Sequence, residues 1–155
     1  MIPDRLVNFV HGAVLGFVGT RDARLRPAAS WAFGARVSAT TDEISAFVPD
    51  VEIDRTRSNL VNNSMIAYTV ADPISAESYQ FKGKLAGMRP TTEEERAVQE
   101  ILRSKIGAKL AMFPPEFVTG YTLVPSTALT FKVEQVFVQT PGPGAGRQLD
   151  LSKEL

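Results

Sequence analysis

The chain has 155 residues, 44% of them apolar and 22% charged, with 17 basic and 17 acidic side chains. That length and balance describe one globular domain with a full core and no bulk electrostatic preference for nucleic acid or an anionic membrane. The absence of cysteine excludes disulfides, thiolate metal sites, iron–sulfur clusters and a cysteine nucleophile, and the single histidine, His11, excludes a multi-histidine metal site.

Pro3 to His11 is predicted as a short helix, with Pro3 at a first helical position, Leu6, Val7 and Val10 on one face, and Gly12 as its stop. The N-terminus has no basic segment followed by a long apolar run. No stretch approaches the roughly 18 apolar residues of a membrane span, so a cytoplasmic protein without a membrane partner is expected. Ala13 to Thr20 reads as a strand buried on both faces, and Leu25 to Ala35 as its hairpin partner, with Trp31 and Phe33 on one face. Glu43 to Val48 is a further strand, ended by Pro49-Asp50. Asp54 to Asn62 is a short helix, and Ser64 to Ala71 and Tyr79 to Met88 are strands, the latter bent at Gly83 and Gly87.

Thr92 and Glu95 form a capping box that opens the clearest helix, Thr92 to Gly107, whose apolar face is Val98, Ile101, Leu102 and Ile106. Packing or a dimer contact is the expected role of that face. Pro114-Pro115-Glu116 suits the start of another short helix, and Ala128 to Thr140 is the last strand. Residues 141–155 read as a Pro/Gly-rich tail, disordered or extended, beyond a domain of residues 1–140. Six hairpin-linked strands with flanking helices point to a mainly β fold, a small antiparallel barrel.

Several stretches carry a family resemblance. Leu25-Arg26-Pro27 leads into Ala28-Ala29-Ser30-Trp31; then come Ile44 to Val48, Asp54 to Asn63 running into Ile66 to Val70, and Tyr79 to Lys84. Over Leu15 to Met88, about half of the chain, this order resembles the FMN-binding split-barrel superfamily that includes pyridoxamine 5′-phosphate oxidase. The tail Gln139 to Gly144 is similar to that of a subgroup with no assigned reaction.

The resemblance implies a six-stranded split β-barrel, a homodimer with FMN in clefts at its interface, and oxidoreductase chemistry on a small molecule. It places the flavin phosphate at the start of the short helix, where a hydroxyl residue, an arginine and a lysine are usual. A helix N-terminus and a guanidinium fork suit a phosphate. Here Asp54 takes the hydroxyl position, Arg55 keeps the arginine, and Thr56 replaces the lysine, so the site loses one positive charge and gains one negative charge. Ser30 and Trp31 would lie along the flavin ring, Phe47 and Val48 would offer it main-chain groups, and Asn59 and Gln80 would reach its phosphate or ribityl arm and its ring.

Each of these residues also has a plain structural reading. Arg55 can be a surface charge, Trp31, Phe47 and Val48 core, Asn59 a local helix contact, and Gln80 an outward strand residue. A catalytic or haem-ligand role for His11 competes with a structural one. The sequence names no catalytic residue. It leaves open a flavin-dependent oxidoreductase, a non-catalytic barrel that binds flavin weakly or a small ligand, and the use of a deazaflavin or haem.

Overall fold

The computed structural model describes residues 1–114 and 125–151. In chain order these form α1 (Asp4–Val10), β1 (Leu15–Arg21), β2 (Pro27–Ala32), β3 (Ala35–Val37) and β4 (Glu43–Pro49). A single 3-10 turn (Asp50–Glu52) leads into α2 (Ile53–Asn63), followed by β5 (Met65–Ala71), β6 (Ser78–Pro90), α3 (Glu93–Lys109) and β7 (Ser126–Val138). The helix expected from Pro114-Pro115-Glu116 falls outside the described residues. Among the described residues, no helix is long and apolar enough to cross a membrane.

All seven strands belong to one antiparallel sheet of order β2-β1-β5-β6-β7-β4-β3. β2 and β3 are the two edges of that sheet, yet only Phe33 and Gly34 separate them in sequence. Two residues cannot cross a flat sheet, since even a fully extended chain gains at most about 3.6 Å per residue. The sheet must therefore curl until its edges meet. At the meeting point Phe33 N–H donates to the Phe47 carbonyl (2.8 Å), and Phe47 N–H donates to the Gly34 carbonyl (3.0 Å). No ladder joins β2 to β3, so the barrel is split there.

This junction corrects the expected strand count from six to seven. The segment read as one strand, Leu25 to Ala35, is two, because Gly34 takes φ of +103°, a conformation that glycine adopts without strain and that breaks the extended run.

The barrel core is Val18, Ala32, Ile44, Val48, Ile66, Tyr68, Val70, Phe81, Leu129, Phe131 and Val136, with Leu6 and Val10 of α1 packed on it. β6 and β7 pair along 11 positions, interrupted between Lys82 and Gly83 and between Leu85 and Gly87. Bulges of this kind bend a strand and let a sheet close on itself. α3 carries the expected capping box and lays Leu102, Ile106 and Leu110 over Phe33, with Ala13 and Leu15 beside them. That cluster covers one end of the outer face of the sheet. A salt bridge from Lys109 to Asp72 ties the end of α3 to the end of β5.

Residues 141–149 do not trail away. The Pro/Gly stretch turns the chain, Gly146 and Arg147 pair with Val138, Leu149 N–H donates to the Val136 carbonyl (2.8 Å), and the Leu149 side chain joins the core. Pro141 to Gly146 is a turn that delivers an apolar anchor, in place of the disordered or extended arm expected.

Candidate functional site

β1 does not bury both faces, as its apolar composition suggests. Val18 and Thr20 point inward and are buried, while Leu15, Phe17, Gly19 and Arg21 face outward and stay partly open. The outer face of the sheet is organised in rows set by strand register. One row runs Trp31, Phe17, Thr69, Gln80, Phe137, one residue from each of five strands. Trp31 and Phe17 rest ring against ring, 4.5 Å between centroids at 40°. Gln80 donates from Nε2 to the Thr69 hydroxyl (3.0 Å).

The next row is Ala29, Gly19, Ala67, Lys82, Gln135. Three small residues in succession leave a trough, and a groove of about 690 Å³ lies there, bordered by Arg21 and Met65 on its far side. Lys82 holds its ammonium over the Phe137 ring, 4.5 Å from the centroid, and Arg21 reaches Met65 through Nη2 (3.3 Å). Glu134 enters the groove at the residue that the β6–β7 irregularity leaves unpaired. The groove is thus flat, largely apolar, and flanked by two cations and one carboxylate.

α2 lies on the other side of β1 and β2. Ser30, Thr56, Asn59 and Leu60 are buried between them. The Ser30 and Thr56 hydroxyls are 2.7 Å apart, and Asn59 donates from Nδ2 to the Thr20 hydroxyl (3.0 Å). These buried polar atoms satisfy one another, as a buried polar set must. At the start of α2, Glu52 has turned its carboxylate away from the helix and accepts the Trp31 main-chain N–H (3.0 Å), so the first turn has no side-chain cap. Asp50 accepts from the Thr127 hydroxyl (2.8 Å). Asp54 and Arg55 are exposed, and among the described residues no partner holds Arg55. Three carboxylates, of Asp50, Glu52 and Asp54, therefore belong to this turn. Arg26 offers no offset, because its Nε is bonded to Asp22 (2.7 Å).

The residues singled out from the sequence separate into groups. Ser30, Thr56 and Asn59 come together under α2. Trp31 and Gln80 share the outer row, with Phe17 and Thr69 between them. Arg55 stands at the mouth of α2 in solvent. Phe47 and Val48 are fully buried, and both main-chain polar groups of Phe47 are taken by Phe33 and Gly34. Phe17, Thr69, Phe137, Arg21 and Lys82 stand beside Trp31 and Gln80 on the outer face as candidates that the sequence did not single out. The alternation of small and large residues in β1 carried part of that signal; the rest is cross-strand register.

No protein-family model matches the chain, and no curated protein matches it either. Solved structures do. HupZ of Group A Streptococcus superposes with a TM-score of 0.58 at 19% identity, covering 94% of this chain and 100% of that one. An F420 reductase gives 0.53 at 12% identity, over 83% of this chain and 93% of its own. An FMN-binding protein from Syntrophomonas wolfei subsp. wolfei gives 0.50 at 12% identity, over 88% and 87%. The chain shares the fold of these proteins. That likeness spans nearly the whole chain, well beyond residues 15–88, and at these identities it is one of fold.

His11 closes α1. Its Nε2 accepts the N–H of Val37 on the outer edge of β3 (3.2 Å). Partial loss of solvent around this surface ring, with Arg36 and Lys105 beside it, holds its pKa below the ordinary histidine value.

Proposed function

We propose that this protein is an FMN-binding oxidoreductase that acts on a small molecule, and that it works as a homodimer joined through the outer face of the sheet. The observation that carries this reading is the row Trp31, Phe17, Thr69, Gln80, Phe137 above the small-residue groove. An open, flat face of aromatic and small residues suits a planar ring system covered by a second subunit. The fold, shared with an FMN-binding protein, supports the same reading.

The chain's own groups fit a flavin unevenly. The ring wall is complete: Trp31 and Phe17 give an apolar surface, and Gln80 gives an amide that can turn from Thr69 to a ring atom. The phosphate end is sparse. Arg55, exposed in the first turn of α2, is the cation placed to hold it, while the Ile53 N–H is already bonded to the Asp50 carbonyl and Asp54 and Glu52 oppose an added anion. Bound there, the flavin would supply the hydride chemistry, and the protein would supply position and exclusion of water. No acid–base side chain is required of the protein for that step.

The carboxylates around the start of α2 favour a second reading, in which the barrel binds flavin weakly or takes a different cofactor, such as a deazaflavin, or a small ligand. One experiment separates the two. Purified protein is desalted after incubation with FMN, and its melting temperature is followed against FMN concentration. Retained yellow colour and a rising Tm support the FMN reading, since a ligand well above its Kd must stabilise the native state. A colourless protein whose Tm is indifferent to FMN overturns it.

A further inference from the structure

His11 belongs to a second cavity, remote from the outer groove in its lining. This pocket, of about 210 Å³, lies between the end of α1, the β2–β3 junction and α3. Its floor is apolar and buried: Val10, Gly34, Ala35 and Leu102. Its rim is His11, Arg36, Lys105 and Ile101, all exposed, and Ile101 is 56% exposed, a large apolar side chain spent on solvent. No carboxylate lines it.

The polar side-chain groups of the rim are all donors. His11 Nε2 is occupied in accepting from Val37, which leaves the neutral ring its Nδ1–H. Arg36 and Lys105 are cations without acceptor capacity. Both press on His11 electrostatically, so their charges converge on the same small volume. The carbonyl of Gly34, one of the floor residues, is already bonded to Phe47 N–H. Among the described residues the anion that pairs with this set is Glu94, 3.4 Å from Arg36 and itself 79% exposed, a loose surface pair.

We propose that this pocket binds a small amphiphilic monocarboxylate, its chain on Val10, Leu102 and Ile101 and its carboxylate among Arg36, Lys105 and His11. A chamber with an apolar floor and a rim whose polar side chains are two cations and one neutral donor is complementary to one anionic head on a short apolar body. The volume sets the size: it is below the roughly 300–1,000 Å³ of pockets for drug-sized ligands, so a fragment of a few carbons fits. This site does not depend on the flavin reading.

His11 is the only histidine, so its ring C–H signals report on the pocket without ambiguity. Those signals are followed by NMR in the full chain during titration with sodium hexanoate, 1-hexanol and sodium chloride. Hexanoate should shift them to saturation, and hexanol should bind at least about fivefold more weakly, because it lacks the charge that Arg36 and Lys105 pair with. Replacing both cations, Arg36→Gln with Lys105→Gln, should weaken hexanoate about tenfold or more. Glu94→Gln, which removes the competing carboxylate, should tighten it about two- to threefold. The proposal is overturned if hexanoate gives only the unsaturated drift of equimolar chloride, if hexanol binds as tightly, or if the folded double variant binds hexanoate like the parent.

Discussion

The hydroxyls of Ser30 on β2 and Thr56 on α2 meet at 2.7 Å in a buried setting, and each is the other's closest polar partner. The position where the family resemblance implies a phosphate-binding lysine is therefore used here to clamp a helix to an edge strand. Thr56→Val keeps the shape and leaves the Ser30 hydroxyl only its longer bond to the Glu52 carbonyl (3.3 Å). It should cost about 1–2 kcal/mol, a fall in Tm of roughly 3–7 °C for a chain of this size. Ser30→Ala in the Thr56→Val background should cost much less than it does alone, because the two act as one unit. Urea denaturation of the two single variants and the double variant measures this.

Arg55 and Asp54 should move FMN affinity in opposite directions. Arg55→Ala removes an exposed cation from the first turn of α2 and should weaken binding about tenfold or more. Asp54→Ser removes an exposed carboxylate from beside the phosphate and should strengthen it several-fold. Both effects should shrink in high salt. Flavin fluorescence quenching is the readout; equal affinities in parent and variants would place the phosphate elsewhere.

Gly83 and Gly87 should respond oppositely to alanine. A Cβ at Gly83 would lie 1.8 Å from the Lys132 carbonyl oxygen, so Gly83→Ala must push β6 away from β7 and should cost about 3 kcal/mol or more. A Cβ at Gly87 meets nothing within 4 Å, and its φ is not positive, so Gly87→Ala should be neutral or stabilise by up to about 1 kcal/mol. Denaturant midpoints of the two variants decide it.

Glu95 lies buried against the bidentate guanidinium of Arg89, with both hydrogen bonds at 2.7 Å. Arg89 holds the Glu95 carboxyl below the ordinary glutamate value. A depressed folded-state pKa contributes stability above the unfolded value, which is lost as pH falls through the folded one. The stability gap between the parent and Arg89→Met should thus be widest at neutral pH and close well below about pH 4.3. Urea midpoints at pH 7 and pH 3 test the sign.

Much of the fold was legible because hairpin neighbours and breakers lie close in sequence. The capping box at Thr92 and Glu95 and the stop at Asp72-Pro73 needed only local residues. The division of Leu25 to Ala35 at Gly34 did not show, since a glycine in an apolar run looks the same whether it continues a strand or turns it. The tail misled for a similar reason: its Pro and Gly residues mark a turn, and Leu149, the residue that turn serves, lies beyond them. The site was legible only in part. Trp31 and Gln80 are neighbours in one row through Phe17 and Thr69, a relation that exists only once three strand registers are set.

The two ends of the sheet close without a strand. On β2 the outward N–H of Trp31 goes to the Glu52 carboxylate, and on β3 that of Val37 goes to the His11 ring. A bare strand edge is a template on which another chain can lay itself. Here each end offers an incoming chain a donor already taken by a side chain at a helix end, Glu52 just before α2 and His11 just after α1. Edge-on growth into fibres, which needs a row of free donors and acceptors, is thereby hindered at both ends of the sheet.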